Sequence, residues 1–246
     1  MSKSKLFVLI LATLVMPIYA AGETECGKLE ECDSFNSNVH DRNSLQRGLE
    51  LYKNYCSSCH TLRYLRWNRL QRDLDIPENI LIEDLISNPD VKTSDFITFG
   101  LPEKSAIGAP DLTLRTRVRG EEWIYTYLRT FYEDSEQITG ANNLVYPGTA
   151  MLHVLSGLQG RQIKNKDGSL EKVSDGSMST QEYDAAIGDL VTFLAYASEP
   201  ARIAREKNGI FVILFFIAWA SQLDLQPAHP KRSTGASQGR NRPLNG

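Results

Sequence analysis

Two cysteines and a histidine in the order Cys56-Ser57-Ser58-Cys59-His60 form the C-x-x-C-H pattern that attaches a c-type haem. Cysteines three residues apart on a helical turn lie on one face, so both thiols can form thioethers with the vinyl groups of a single porphyrin. The adjacent His60 then directs its imidazole at the iron. The pattern predicts one covalently bound haem c, with Cys56 and Cys59 as attachment points and His60 as an axial ligand.

Two other uses of paired cysteines fit this sequence less well. A thioredoxin-type redox pair does not need the histidine, and it follows a strand in a βαβ setting that this sequence lacks. A zinc site needs further ligands, and the only other cysteines are Cys26 and Cys32.

The second axial ligand has to come from the remaining methionines and histidines. Met151 follows Pro147 and Gly148, which disrupt regular structure and let a loop reach the distal face. His153, two residues on, is the rival candidate, whereas Met178 lies in a polar run typical of an exposed loop. A methionine is a weak neutral ligand that raises the haem potential, which suits an electron acceptor and favours Met151.

Arg115, Arg117 and Arg119 come close together in an otherwise acidic region. The planar guanidinium fork can make two charge-assisted hydrogen bonds to a carboxylate, so these residues are candidate partners of the haem propionates. The alternative is a solvated basic loop.

The elements that position these residues are predicted to be helices. Asn43 can cap a helix that leads into the cysteine motif, with Gln46 at the capping-box position. A second helix covers residues 121–132. A third begins with the capping box Ser179/Glu182 and ends at residues 199–200. The apolar residues assigned to the inner faces of the three helices are Leu45, Leu49, Tyr52, Cys56, Cys59, Trp123, Tyr127, Leu128, Phe131, Tyr183, Ile187, Leu190, Val191 and Leu194.

Between the helices the sequence predicts irregular structure. Residues 22–41 show no apolar period, residues 74–114 hold four prolines that favour short helices and loops, and residues 164–179 form a polar excursion. No alternating pattern of strand length is present. The fold class is therefore mostly α.

The two ends of the chain differ from its middle. Lys3 and Lys5, an apolar stretch over residues 6–16 and small residues at 20–21 predict a signal peptide covering residues 1–21. Export implies an oxidising compartment, in which Cys26 and Cys32 either form a local disulfide or stay free.

The charge of the chain is unevenly distributed. The whole chain carries −3, the first 21 residues +2 and residues 210–246 +3, which leaves −8 on residues 22–209. This argues against a nucleic-acid partner, and the acidic charge serves either a basic protein partner or solubility.

The chain resembles the cytochrome c1 family, the haem-bearing subunits of ubiquinol–cytochrome c oxidoreductase. The likeness runs from about residue 44 to 216. It rests on the following segments: Ser44-Leu45-Gln46-Arg47-Gly48, Tyr55-Cys56-Ser57-Ser58-Cys59-His60, Tyr64-Leu65-Arg66-Trp67-Asn68-Arg69-Leu70, Ala109-Pro110-Asp111-Leu112-Thr113 with Arg117 and Arg119, residues 150–155 and residues 190–200.

The resemblance implies a cytochrome c-type haem domain with inserts over residues 22–208, held in the inner membrane by a C-terminal helix and facing the periplasm. It implies electron flow from a Rieske iron–sulfur protein to a soluble cytochrome c, beside a cytochrome b subunit. It also implies Met151 as the axial ligand, Arg119 as a propionate partner and Pro110 as a haem-binding residue.

Three features depart from the family pattern. Bacterial members commonly have a proline after the ligand methionine, where this chain has Leu152, and Cys26 and Cys32 match no family position. The apolar run over residues 209–223 would rise only about 22 Å as a helix, against a hydrocarbon core of about 30 Å. The Pro-, Gly- and Arg-rich residues 224–246 have the composition of a disordered tail.

Other functions remain as alternatives. A free or weakly anchored periplasmic electron shuttle fits the short apolar run, although the long insert over residues 74–114 argues against a small shuttle. Proteins that resemble cytochrome peroxidases carry two C-x-x-C-H motifs. This sequence has one, which argues against a peroxidase. The sequence therefore favours an electron-transfer subunit that is not an enzyme by itself.

Overall fold

The computed structural model describes residues 26–86, 88–98 and 108–225, with the backbone alone for residues 223–225. The predicted signal peptide and all but the first two residues of the predicted tail lie outside this range. The described residues fall into two compact units, residues 26–206 and residues 207–225.

The first unit is mostly helical, which confirms the predicted class. Its α-helices are α1 (Arg42–Leu51), α2 (Trp67–Leu74), α3 (Glu78–Ile80), α4 (Arg115–Arg119), α5 (Glu121–Arg129), α6 (Ser156–Gln159) and α7 (Thr180–Ser198). Two π-helices, Tyr52–Cys56 and Leu81–Ile86, continue α1 and α3. The strands are β1 (Leu62–Arg66), β2 (Phe96–Ile97), β3 (Phe131–Glu133), β4 (Ala141–Asn143), β5 (Gly160–Lys164) and β6 (Leu170–Asp175).

The N-terminus of α1 differs from its prediction. Asp41 is the cap, and its carboxylate accepts a hydrogen bond from the Ser44 backbone amide at 3.2 Å. The predicted cap, Asn43, is already inside the helix. The Gln46 side chain donates to the Leu74 carbonyl oxygen at 2.8 Å instead of closing a capping box, so it ties α1 to α2.

The capping box predicted for α7 is confirmed. The Ser179 hydroxyl accepts from the Glu182 amide at 3.3 Å, and the Glu182 carboxylate accepts from the Ser179 amide at 2.8 Å. The predicted inner face is also buried, at Tyr183, Ile187, Leu190, Val191 and Leu194. These side chains form much of the hydrophobic core.

Helices α1 and α7 cross with very little space between their backbones. A Cβ atom added at Gly48 would lie 2.6 Å from Phe193 Cβ and closer still to the Asp189 carbonyl oxygen. Beside the glycine, Arg47 binds the Asp189 carboxylate through two nitrogens, at 2.5 and 2.9 Å. Because α1 runs into the cysteine motif, this crossing fixes the motif relative to the core.

The prediction that the chain lacks strands is wrong, because three two-stranded antiparallel sheets are present in the described residues. The polar segment over residues 164–179 contains strand β6 of the hairpin β5–β6. Every β6 residue is at least partly exposed, so polar side chains hide the alternation of apolar and polar residues that would indicate a strand. Asp167-Gly168 forms the turn of this hairpin, with Gly168 at φ +92°, and this dipeptide is a hairpin signal that could have revealed it.

Helix α5 begins at Glu121 as predicted but ends at Arg129, three residues early. The reason is that β3 pairs with β4, with Phe131 opposite Asn143 and Glu133 opposite Ala141. The helical sequence pattern therefore continues over residues that form β3 and pair with β4 instead.

The segment before α1 is irregular, as predicted, and is fastened at several points. Cys26 and Cys32 form a disulfide, with their Cα atoms 5.4 Å apart. The Lys28 amide donates to the Leu144 carbonyl oxygen at 3.1 Å. The segment thus packs against the residues that lead from β4 toward Met151.

The second unit contains most of α8 (Arg202–Leu225), which includes the predicted anchor over residues 209–223. Apolar side chains along this helix are about half exposed or more, at Ile210, Phe211, Val212, Ile213, Leu214, Phe215, Phe216, Ile217 and Trp219. Among the described residues, no helix combines the length and apolar character needed to span a bilayer.

Replacing Gly48 with alanine should destabilise the first unit. We expect a loss of about 2–3 kcal/mol in the free energy of unfolding, because the new methyl group meets backbone atoms that cannot rotate away. Denaturant unfolding followed by circular dichroism measures the change. Gly157→Ala is the matched control, since a Cβ there would meet nothing within 4 Å. Equal stability of both variants would contradict the tight crossing.

Candidate haem site

The cysteine motif lies where α1 has widened into a π-helix. The Ser57 amide donates to the Tyr52 carbonyl oxygen at 2.9 Å, and the chain then turns so that the His60 amide donates to the Cys56 carbonyl oxygen at 2.9 Å. Neither Cys56 nor Cys59 is in a disulfide. Cys56 is buried and Cys59 is partly exposed.

Burial raises the pKa of the Cys56 thiol to about 12, with the nearby Cys59 as a second cause. The thiol is therefore protonated at neutral pH. Cys56 is therefore not an activated thiolate in this structure.

The His60 ring is held by a single strong hydrogen bond. Its Nδ1 atom lies 2.6 Å from the Pro110 carbonyl oxygen. Because a carbonyl oxygen can only accept, Nδ1 carries the proton and Nε2 is left with a free lone pair. Burial lowers the pKa of His60, and the positive charge of Arg115 adds to this, which keeps the ring neutral and able to ligate a metal.

Asp111 holds the Pro110 loop in place and was not recognised from the sequence as a functional residue. Its carboxylate accepts hydrogen bonds from the Thr61 hydroxyl at 2.6 Å, the Arg63 amide at 2.8 Å and the Thr113 amide at 2.9 Å. These bonds join the loop to the residues that follow His60. The Pro110 carbonyl oxygen is thereby kept at the histidine ring.

Met151 is partly buried and lies against α5. The Tyr127 hydroxyl is 3.5 Å from the Met151 sulfur and 2.8 Å from the Thr149 hydroxyl. Burial raises the pKa of Tyr127, which keeps its proton in place at neutral pH. The thioether of Met151 thus faces a polar group from a rigid helix.

The rival ligand candidates are engaged elsewhere. The His153 ring stacks on Phe131 with centroids 5.0 Å apart, and burial lowers its pKa to about 4. It lines a cavity of about 270 Å³ beside β3 and the β5–β6 hairpin. Met178 is half-buried against the core rather than fully exposed as expected. The other histidine of the described residues, His40, lies 2.8 Å from Glu206.

Arg119 is the first of four side chains that contact one another in turn, followed by Trp123, Tyr127 and Met151. Its guanidinium carbon lies 5.1 Å from the centre of the Trp123 ring, and that ring stacks on Tyr127 at 5.1 Å with an angle of 8°. Arg119 makes no ion pair with any carboxylate of the described residues. The positive charge of Arg119 and the Met151 thioether thus lie at the two ends of a row formed by Trp123 and Tyr127 of α5.

The donor set fits one c-type haem. The structure provides two thiols on one turn, a neutral imidazole with a free Nε2 atom, and a thioether on a separate segment, which is a combination known for haem iron of raised potential. Among the described residues, no cluster of three or more His, Cys, Asp or Glu side chains forms a separate metal site.

Comparison with known proteins gives the same answer. The model of the Cytochrome C1 family matches residues 34–95 and 102–227, which is most of the chain. The chain belongs to the cytochrome c1 family. It therefore carries one covalently bound haem c and works in electron transport.

Two of three similar proteins are named as cytochrome c1. The chain is 40% identical to cytochrome c1 of Allochromatium vinosum, over 84% of this chain and 91% of the relative. It is 38% identical to the ammonia monooxygenase gamma subunit of Nitrosomonas europaea, over 84% and 89%. It is 30% identical to the mitochondrial cytochrome c1 heme protein of Schizosaccharomyces pombe, over 70% and 61%.

Removing the Asp111 carboxylate should release the Pro110 loop. We expect Asp111→Ala to lower the free energy of unfolding of the haem-loaded protein by about 2–3 kcal/mol, because three donors lose a charged acceptor. Denaturant titration of both variants measures this, with Glu171→Ala as the control that removes the same charge from an exposed strand position. Equal losses in the two variants would mean that net charge, and not the attachment of the loop, causes the effect.

Proposed function

We propose that this chain passes electrons from a Rieske iron–sulfur protein to a soluble cytochrome c, within ubiquinol–cytochrome c oxidoreductase. The observation that carries the proposal is the Cys56–His60 attachment turn, with its imidazole oriented by the Pro110 carbonyl oxygen, in a chain of the cytochrome c1 family. Several relatives are named as cytochrome c1 or cytochrome b/c1 proteins, which supports a place beside cytochrome b. The chain is then one subunit of an oxidoreductase and not an enzyme by itself.

Each site residue has a defined task in this proposal. Cys56 and Cys59 hold the porphyrin through thioethers, and the haem supplies a one-electron couple between ferric and ferrous iron. His60 would hold the iron through Nε2, because Nδ1 is committed to the Pro110 carbonyl oxygen. Met151 would supply its sulfur as the second ligand.

Arg119 is the proposed partner of a haem propionate. Its side chain lies over Trp123 and forms no ion pair with a described carboxylate, so its donors are free for an added anion. A propionate beside an arginine is stabilised by the two parallel hydrogen bonds that the guanidinium fork allows.

The proposed domain organisation places residues 22–208 in the periplasm and residues 209–223 in association with the inner membrane. The support is the row of exposed apolar side chains on α8, because contiguous apolar surface of this kind marks contact with a partner or a membrane. Neighbouring subunits and local thinning of the bilayer would help a short apolar run to hold.

The distal ligand can be tested by spectroscopy. A thioether on ferric haem gives a weak absorption band near the red end of the visible spectrum. We expect Met151→Leu to abolish this band and lower the midpoint potential, because the reduced iron loses the ligand that favours it. His153→Ala is the matched control and should keep the band. Loss of the band in His153→Ala and its retention in Met151→Leu would transfer the role to His153.

Membrane retention should depend on assembly. We expect the chain to resist an alkaline carbonate wash when it is expressed with its cytochrome b partner, and to be released when it is expressed alone, because the apolar run is short. Haem staining of the washed membranes measures both. Release in both cases would favour a free electron shuttle, and full resistance when expressed alone would show an independent anchor.

The same assembled membranes serve to test the acceptor. With a quinol as donor, they should reduce a basic soluble cytochrome c at a rate that falls steeply as salt rises, since the domain carries excess negative charge. The Cys56→Ala/Cys59→Ala double variant is the negative control. A rate independent of salt would show that charge does not guide this acceptor.

A further inference from the structure

Three hydrogen bonds around Met151 form a closed ring. The Met151 backbone amide lies 3.3 Å from the Thr149 hydroxyl oxygen, that oxygen lies 2.8 Å from the Tyr127 hydroxyl, and Tyr127 lies 3.5 Å from the Met151 sulfur. The ring starts and ends on the same methionine, through two side chains. One of them belongs to the methionine loop and the other to α5.

Counting donors fixes the direction of every bond. An amide nitrogen can only donate, so Thr149 accepts from Met151, and a thioether sulfur can only accept, so Tyr127 donates to it. Tyr127 has one hydroxyl proton, which is then used. The bond between Thr149 and Tyr127 must therefore run from Thr149 to Tyr127, and each hydroxyl donates once and accepts once.

We propose that Tyr127 is a positioning residue that orients the Met151 thioether for the iron and raises the haem potential. The proposal rests on the proposed role of Met151 as axial ligand. The sulfur has two lone pairs, and the hydrogen bond from Tyr127 occupies one of them. The other lone pair is left in a fixed direction for the metal.

The hydrogen bond also changes how strongly the sulfur donates electrons. A donor proton draws density away from the sulfur, which weakens its bond to ferric iron more than to the softer ferrous iron. The reduced state is favoured in consequence. Tyr127 thus adds to the rise in potential that a methionine ligand already gives.

Tyr127 is well placed for this task because two aromatic side chains hold its ring and a helix holds its backbone. It stacks on Trp123 at 5.1 Å, meets Phe131 edge to face at 5.0 Å, and is fixed at its backbone by α5. The Asn143 side chain, fully buried, donates to the Tyr127 carbonyl oxygen at 2.7 Å. The hydroxyl therefore has little freedom to leave the sulfur.

The decisive variant is Tyr127→Phe, which removes the hydroxyl and keeps the ring. We expect a lower midpoint potential, with the ratio of oxidised to reduced haem at a fixed ambient potential rising about threefold to tenfold, the range expected for one net hydrogen bond. The thioether band of the ferric protein should shift, and imidazole should bind the ferric haem less tightly, because the Met151–iron bond that it displaces is stronger. Redox titration and absorption spectra of the purified haem protein give all three values.

Tyr125→Phe is the matched control on the same helix. The Tyr125 ring stacks on Phe35 at 4.7 Å, away from the methionine, so this variant should leave the potential and the band unchanged. A second pair of variants tests the ring at Thr149. Thr149→Val should lower the potential by less than Tyr127→Phe does, and Thr149→Ser, which keeps the hydroxyl, should restore it.

The outcomes separate this inference from the proposed ligand. An unchanged potential in Tyr127→Phe, with the band lost in Met151→Leu, would overturn the role of Tyr127 and leave Met151 as the ligand. A wild-type protein without the thioether band would instead remove Met151 and this inference with it. A shift in Tyr127→Phe matched by an equal shift in Tyr125→Phe would show a general effect of helix packing and overturn the inference.

Discussion

The hydrogen bond between His60 Nδ1 and the Pro110 carbonyl oxygen joins two segments that lie 50 residues apart in the chain. It selects the tautomer of the ring, and only that tautomer leaves Nε2 available to a metal. Other features serve this one contact. The π-helix turns the motif out of α1, Tyr52 donates from its hydroxyl to the His60 carbonyl oxygen at 2.6 Å, and Asp111 holds the proline loop. A proton on the other nitrogen would leave the same fold without a ligand.

The opposite side of the site is organised along a helix surface. Arg119, Trp123 and Tyr127 follow each other at intervals of four residues, so α4 and α5 together present a charge, an aromatic plane and a hydroxyl in one row. Stacking of flat groups makes this row stiff. A substitution at Trp123 would thus be felt both at the guanidinium and at the tyrosine.

The sequence predicts correctly those features that depend only on neighbouring residues. The Ser179/Glu182 capping box predicts the start of α7, and the Cys56–His60 spacing indicates the attachment turn without any knowledge of the fold. Long-range contacts are different. Nothing near Asp111 in the sequence shows that its carboxylate meets Thr61 and Arg63, and nothing in the apolar run of α5 shows that β4 ends the helix early. Alternation does not reveal the hairpin β5–β6, because polar residues occur on both of its faces. Its Asp-Gly turn, however, is a usable signal for a hairpin.

The close crossing of α1 and α7 has a consequence for the order of maturation. Arg47 and Asp189 are 142 residues apart, so the crossing cannot form until most of the chain has been made. A chain made from its N-terminus presents the cysteine motif long before α7 exists. During that interval the core that buries Cys56 is still incomplete. Attachment of a haem can therefore precede the completion of the core.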